Sequence, residues 1–230
     1  MRAPLTIAAA QPRCVAFDIA ANALIHAEVV RSAGARVVVF PELSLTGYEL
    51  DAPTIRPDDP RLTPLVEACA ETGTLALAGA PVDGPHIGML AVSGAGATVA
   101  YRKLWLGSAE EVRFVPGHEP AVLDVDGWRL GLAICKDTGV AQHAAATAAL
   151  GIDAYVAGVL EQAADAEIQP ERARRIVADH RVWVVVASFA GGTGGGFDSA
   201  AGGSAIWAPD GSLVAAAGPE IGAIAQATLR

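Results

Sequence analysis

The chain has 230 residues, 52% of them hydrophobic and 18% charged, with a formal net charge of −9 at pH 7. So apolar a composition excludes a disordered or fibrous chain and suits a protein with much doubly covered sheet. The acidic balance, with no basic run denser than "RARR" at 172–175, argues against nucleic acid as a partner, and no apolar run reaches the roughly 18 residues of a membrane-spanning helix.

The chain opens on "LTIAAAQ", which reads as a short strand, followed by the amphipathic helix "FDIAANALIHAEVVRSAGA" ended by Gly34 and the buried strand "RVVVF". A second helix, roughly 60 to 72, stops at Gly73 and leads into the strand "TLALAGAPV". "IGMLAVS", the turn "GAGA" and "TVAYRKL" then form a hairpin. "WRLGLAIC" is a further strand, "GVAQHAAATAALG" a helix closed by Gly151, and "IDAYVAGVL" a strand. "QPERARRIVADHR", with Pro170 near its start, is a helix that runs into the strand "VWVVVASFA". The tail is a hairpin around Pro209, Asp210 and Gly211 and a last strand. Helices handing over to buried strands, mixed with hairpins, imply an α/β fold: a four-layer α-β-β-α sandwich of two mixed sheets. No Ser-, Pro- or charge-rich linker interrupts the chain, so one domain over 1–230 is expected.

Cys14, Cys69 and Cys135 are too few and too far apart for a disulfide framework or a CxxC metal site, and each is expected as a free thiol. The apolar part of "MRAPLTIAAAQPRC" is too short for a secretory signal, which makes a cytoplasmic protein the expectation. The five histidines show no HxH or HxxxH spacing, so no zinc site is expected and most should lie at the surface. The glycine-rich run lacks the Lys-Ser/Thr of a phosphate loop, and no GxSxG elbow occurs.

Three strands end in groups able to do chemistry: "VVVF" delivers Glu42, "TVAYR" delivers Lys103 and "GLAI" delivers Cys135 at its junction with a helix. Ligands of α/β proteins gather at the carboxyl ends of strands. Singly, each residue has an ordinary reading: a solvated loop carboxylate, a strand-end surface charge, a small buried hydrophobe. Together they describe a thiol beside a lysine and a helix N-terminus, surroundings that favour a thiolate. His143, eight residues after Cys135, offers a rival Cys–His pair.

The segments "FPELSLTGY", "YRKLWL" and "GLAICKD" resemble the glutamate, lysine and cysteine motifs of the nitrilase superfamily of carbon-nitrogen hydrolases, in the family's order and over nearly the whole chain. "AAAQ", "EEVRFVPG" and "GGSAIWAPDGSLV" agree with it. The resemblance implies the four-layer sandwich and hydrolysis of a non-peptide carbon-nitrogen bond in a small amide, of amidase, ω-amidase or N-carbamoyl type, with no cofactor and no metal. It casts Cys135 as nucleophile and Glu42 as the base that takes the thiol proton. Lys103 stabilises the oxyanion with the backbone N–H of Lys136, and Glu110, rather than its neighbour Glu111, is the second acid. It also implies a homodimer.

After the nucleophile the family continues with an aromatic residue, Asp, and an aromatic-Pro-Glu segment, whereas this chain reads "CKDTGVAQHAAATAALG" and keeps only Asp137. Trp105 stands where many members carry His. Lys136, Trp105 and Phe197 are therefore the candidate substrate-binding residues, and the loop "GGTGGGFDSAAGG" at 191–203 is either a lid over the pocket or a slack connector. Two further readings use the same letters: a binding or regulatory protein with a closed acyl pocket, and acyl transfer to an acceptor other than water.

Overall fold

The computed structural model describes residues 2–230. Two six-stranded sheets carry the architecture. The first contains β1 (Leu5–Ala10), β2 (Val37–Val39), β3 (Leu75–Val82), β4 (His86–Ser93), β5 (Gly96–Arg102) and the last strand, β14 (Ile224–Leu229). The second contains β6 (Val122–Val125), β7 (Trp128–Ile134), β8 (Ala154–Val159), β9 (Trp183–Ser188), β12 (Ala205–Trp207) and β13 (Leu213–Ala216). Their orders are β14-β1-β2-β3-β4-β5 and β13-β12-β9-β8-β7-β6, and a two-residue ladder, β10 (Ala190–Gly191) with β11 (Ala200–Ala201), lies apart. Each large sheet has three parallel strands at its heart, β1-β2-β3 and β7-β8-β9, flanked by antiparallel neighbours.

The period-2 alternation of strand side chains separates three cores. Ile7, Ala9, Val37, Val39, Leu130, Leu132, Ile134, Val156 and Val185 fill the space between the sheets. Ala8, Ala10, Val38 and Ala76 point the other way and meet α1 (Ile19–Ala33) and α2 (Thr63–Thr72) through Ala23, Ala27, Val30, Leu65 and Ala68. Ala133, Tyr155, Ala157, Val184 and Val186 meet α3 (Ala141–Ala148) and α4 (Ile168–His180) through Ala144, Ala173, Ile176 and Val177. The layers are α-β-β-α, as expected from the alternation of helices and strands. α1 starts on Asp18, whose side chain accepts the Ala21 N–H at 3.0 Å, and stops on Gly34 at φ 60°. Among the described residues no helix is long and apolar enough to cross a membrane.

The structure departs from the sequence reading at three places. β6 pairs with β7 across the Asp126-Gly127 turn, a hairpin the strand pattern did not flag because only four residues pair. Cys135 does not open an α-helix but a 3₁₀ turn, Cys135–Gly139, and α3 begins at Ala141. His26, His86 and His143 are buried, so most of the five histidines are not surface residues.

At one point the two sheets are held apart by almost nothing. The chain leaving β2 passes between Gly79 of β3 and Gly158 of β8. A Cβ on Gly79 would come within 2.3 Å of the Leu43 nitrogen and 2.4 Å of the Pro41 oxygen, and one on Gly158 within 2.5 Å of the Phe40 oxygen. Neither contact is sterically possible, so this passage exists only because both residues lack a side chain. Gly158→Ala is expected to cost about 1–3 kcal/mol through overpacking, read as a lower urea midpoint at unchanged slope; an unaltered midpoint would show that the seam can give way.

Candidate active site

The segment squeezed between those glycines carries Glu42. The Phe40 N–H extends the β2–β3 ladder by donating to the Leu77 oxygen at 2.8 Å, Pro41 ends it, and Leu43 turns the chain at φ 51°. Glu42 is left 1% exposed, aimed away from solvent at the rim where both parallel strand sets end. Its Oε1 accepts Lys103 Nζ at 2.5 Å, while Oε2, also buried, has no hydrogen-bond partner among the described residues.

Lys103 follows β5 immediately, and both its backbone groups are fixed: its N–H donates to the Ile87 oxygen and its oxygen accepts the Gly117 N–H, each at 2.8 Å. Its side chain is 1% exposed and its ammonium touches a second acid, Glu110, at 2.7 and 2.8 Å to the two oxygens. Glu110 lies in a 3₁₀ turn, Glu110–Val112, where Oε2 also accepts the Gly107 N–H at 2.7 Å and Oε1 the Tyr48 hydroxyl at 3.2 Å. Glu111 is exposed. The ambiguous acidic pair is thus divided by burial: one member holds the lysine, the other faces water.

Cys135 follows β7 directly at φ 40°, a left-handed value costly for a side chain bearing a Cβ and of the kind that clusters at functional sites. Its sulfur approaches the Leu160 oxygen at 3.3 Å, the first residue past β8. Thr138 Oγ1 donates to the Cys135 oxygen at 2.7 Å, and Arg175 Nη2 to the Thr138 oxygen at 2.7 Å, so α4 braces the turn from behind. Asp137 tightens it from inside, its Oδ2 accepting the Ile134 N–H at 2.9 Å.

Cys135, Lys103 and Glu110 line one open cleft of about 350 Å³, together with Tyr48, Lys136, Leu160, Glu161, Asp165 and Phe197. That size suits a small ligand. Lys136 lines it but gives its ammonium to the Leu106 oxygen. Phe197 stacks edge-on to Tyr48 at 5.2 Å, and its loop is tied down by Gly194 N–H and Thr193 Oγ1, which donate to the Gly47 oxygen at 2.8 and 2.7 Å. The loop at 191–203 therefore forms a rim docked on the segment after Glu42. Trp105 is 43% exposed and is not among the lining residues; it contributes its backbone N–H, donated to Asp137 Oδ1 at 2.9 Å. His143 is 2% exposed and hydrogen-bonded to Tyr101 and Tyr155 at 2.8 Å each, so it does not pair with Cys135.

The sequence singled out neither Tyr48, which closes "FPELSLTGY", nor Glu161. Tyr48, at φ 59°, lines the cleft and reaches Glu110 with its hydroxyl, contacts that its place in the sequence does not signal. Glu161 follows directly on the residue whose carbonyl meets the sulfur.

Burial dominates the electrostatics. It pushes the Glu42 carboxyl up to about 8, against the pull of Lys103 and with the repulsion of Glu110. Burial opposes the Lys103 charge, but Glu42, Cys135 and Glu110 outweigh it and hold the ammonium above the ordinary lysine range. The Cys135 thiol is raised well above its ordinary value by burial and then by Glu42, with Lys103 pulling the other way. This corrects the expectation of a thiolate at a helix N-terminus: the resting sulfur keeps its proton. One cation faces two acids, Glu110 with both its oxygens and Glu42 with one.

Lys103→Met would leave the two acids facing each other in a dry interior. It is expected to destabilise the fold by about 3–5 kcal/mol at pH values above about 8, and by less near pH 5, where Glu42, pushed up to about 8, holds its proton. Urea unfolding at the two pH values checks this; a loss independent of pH would contradict the charge assignment.

Three comparisons bear on this site. Residues 6–230 match the family model "Carbon-nitrogen hydrolase". Saccharomyces cerevisiae Nit3, a member of branch 10 of the nitrilase superfamily, superposes with a TM-score of 0.85 at 22% identity, over 98% of this chain and 90% of that one. An amidase from Nesterenkonia sp. gives the same TM-score, identity and coverage. Among curated proteins, Hydrolase Rv0480c of Mycobacterium tuberculosis (strain ATCC 25618 / H37Rv) is 34% identical over 149 residues, 58% of this chain. That match spans 53% of the relative, so the chain matches about half the length of its curated relative. With the family match running from the first strand to the last residue, the chain belongs to the carbon-nitrogen hydrolase family.

Proposed function

We propose that the protein is a cysteine-dependent amidohydrolase that cleaves a non-peptide carbon-nitrogen bond of a small amide through a thioester on Cys135. The observation that carries this reading is that Cys135 and Lys103 line the same small cleft while Lys103 is hydrogen-bonded from behind to Glu42, whose second oxygen has no partner among the described residues.

Glu42 takes the Sγ proton as the sulfur attacks the amide carbonyl carbon, and the carbonyl electron pair moves onto oxygen. Lys103 and the Lys136 N–H stabilise that oxyanion. When the tetrahedral adduct collapses, the C–N bond breaks and the proton held by Glu42 goes to the leaving nitrogen, which departs as ammonia or an amine. Glu42, again a carboxylate, then draws a proton from water as it attacks the thioester, and the acid product leaves with the thiol restored. Glu110 holds Lys103 in place with two contacts while Tyr48 fixes Glu110. Support for a reactive sulfur also comes from the similar Nesterenkonia amidase, a mutant of which shows covalent addition of the acetamide moiety of fluoroacetamide at its active-site cysteine.

Ammonia release from a panel of ω-amides, N-carbamoyl amino acids and simple nitriles tests the reading. The wild type is expected to turn over at least one amide, and Cys135→Ala none; equal release by both rejects the nucleophile. Because Glu42 loses its proton at about 8, kcat/KM should climb as pH rises towards that value and level off above it. A rate that falls over the same range would assign the base elsewhere.

A further inference from the structure

Behind the cleft lies a chain of buried polar groups that the proposed chemistry does not use. Asp137 is wholly buried, and its two oxygens accept three donors. Oδ2 takes the Ile134 N–H at 2.9 Å and the Tyr101 hydroxyl at 2.7 Å, and Oδ1 takes the Trp105 N–H at 2.9 Å. Ile134 immediately precedes the nucleophile, and Trp105 is two residues beyond Lys103. One carboxylate therefore ties the turn that carries the sulfur to the segment that carries the ammonium. Those two segments follow or end strands of different sheets, and among the described residues no other is hydrogen-bonded to both of these backbone N–H groups.

The protons of the remaining contacts can be counted. Tyr101 has one hydroxyl proton and spends it on Asp137, so its oxygen must accept from the other group it touches, His143 Nε2, at 2.8 Å. Nε2 must then carry a proton. A neutral imidazole has one N–H, which leaves Nδ1 bare to accept the Tyr155 hydroxyl, also at 2.8 Å. Burial pushes His143 below its ordinary range despite the nearby Asp137 charge, which agrees with a neutral ring. The opposite direction, from a protonated Asp137 outward to Tyr155, would remove the charge that two backbone N–H donors and one hydroxyl converge on. We infer that Tyr155, His143 and Tyr101 are positioning residues: a one-way hydrogen-bond chain that keeps Asp137 a carboxylate and so holds Cys135 in register with Lys103. This rests on the reading of Cys135 as the nucleophile.

The ¹⁵N spectrum of the histidine-labelled protein tests the direction of the chain without any substrate. The resonance that disappears in His143→Gln should show a protonated Nε2 and a bare Nδ1 across neutral pH. A protonated Nδ1, or a doubly protonated ring, overturns the inference. The consequence for the sulfur is read from alkylation of Cys135 by iodoacetamide, followed by mass mapping. His143→Leu should slow it on the order of tenfold, the scale of a small misplacement of reacting groups. His143→Gln, whose side-chain NH₂ can stand in for Nε2–H, should restore most of the rate. On any amide the protein hydrolyses, the same Leu variant should lower kcat with KM unchanged. Equal rates in Leu and Gln variants, or an unchanged rate in the Leu variant, overturn the positioning role. Should His143→Leu not fold, Tyr101→Phe removes the same link and must give the same loss. A wild type that alkylates rapidly at Cys135 and follows this pattern yet hydrolyses no amide would defeat the hydrolase reading alone.

Discussion

An ammonium buried between two carboxylates is the interaction on which this protein is organised. Lys103 is almost wholly removed from water, and a lone charge in that position would be untenable. Its neighbours are two acids rather than one, and the imbalance is what makes the cluster chemical rather than merely structural. Glu110 holds the cation with two oxygens and is itself held by a backbone N–H and a tyrosine hydroxyl. Glu42 offers one oxygen to the lysine and keeps the other unpaired. An unpaired buried acceptor costs free energy, commonly about 1–3 kcal/mol, and it stays in place because the glycine-lined seam leaves its backbone nowhere else to go.

The fold supplies that placement by bringing strand ends together. β2, β5 and β7 each stop at the same rim; Lys103 and Cys135 come directly after β5 and β7, and Glu42 three residues after β2. Two sheets are required because the acids and the lysine come from one and the sulfur from the other. The parallel centre of each sheet aligns the carboxyl ends, and the two glycines allow the sheets to approach closely enough for one cleft to be shared.

Much of this is written legibly in the sequence. Gly34 and Gly73 mark helix ends, "VVVF" and "GLAI" read as buried strands, and the residues that follow them stand out because charges and thiols are rare there. Other parts cannot be read from letters. β10 and β11 pair over two residues, too few for any periodicity. The partner of the Cys135 sulfur is a main-chain oxygen, which every residue possesses, and Trp105 matters through its N–H while its ring faces outward. His143 shows the limit from the other side. Its distance in sequence from Cys135 invites a catalytic pair, but β7 and α3 turn it into the space between Tyr101 and Tyr155. The thiol's protonation is not legible for a related reason: proximity to a turn and a lysine is visible in the sequence, and the depth of burial that outweighs both is not.

The seam between Gly79 and Gly158 ties reactivity to maturation of the whole chain. Before the second sheet docks on the first, Cys135 has neither its base nor its cation and behaves as any cysteine in water, ionising near the usual value of about 8.5. A chain whose sheets have not docked therefore carries an ordinary thiol, and sulfur, cation and base stand together only in the finished sandwich.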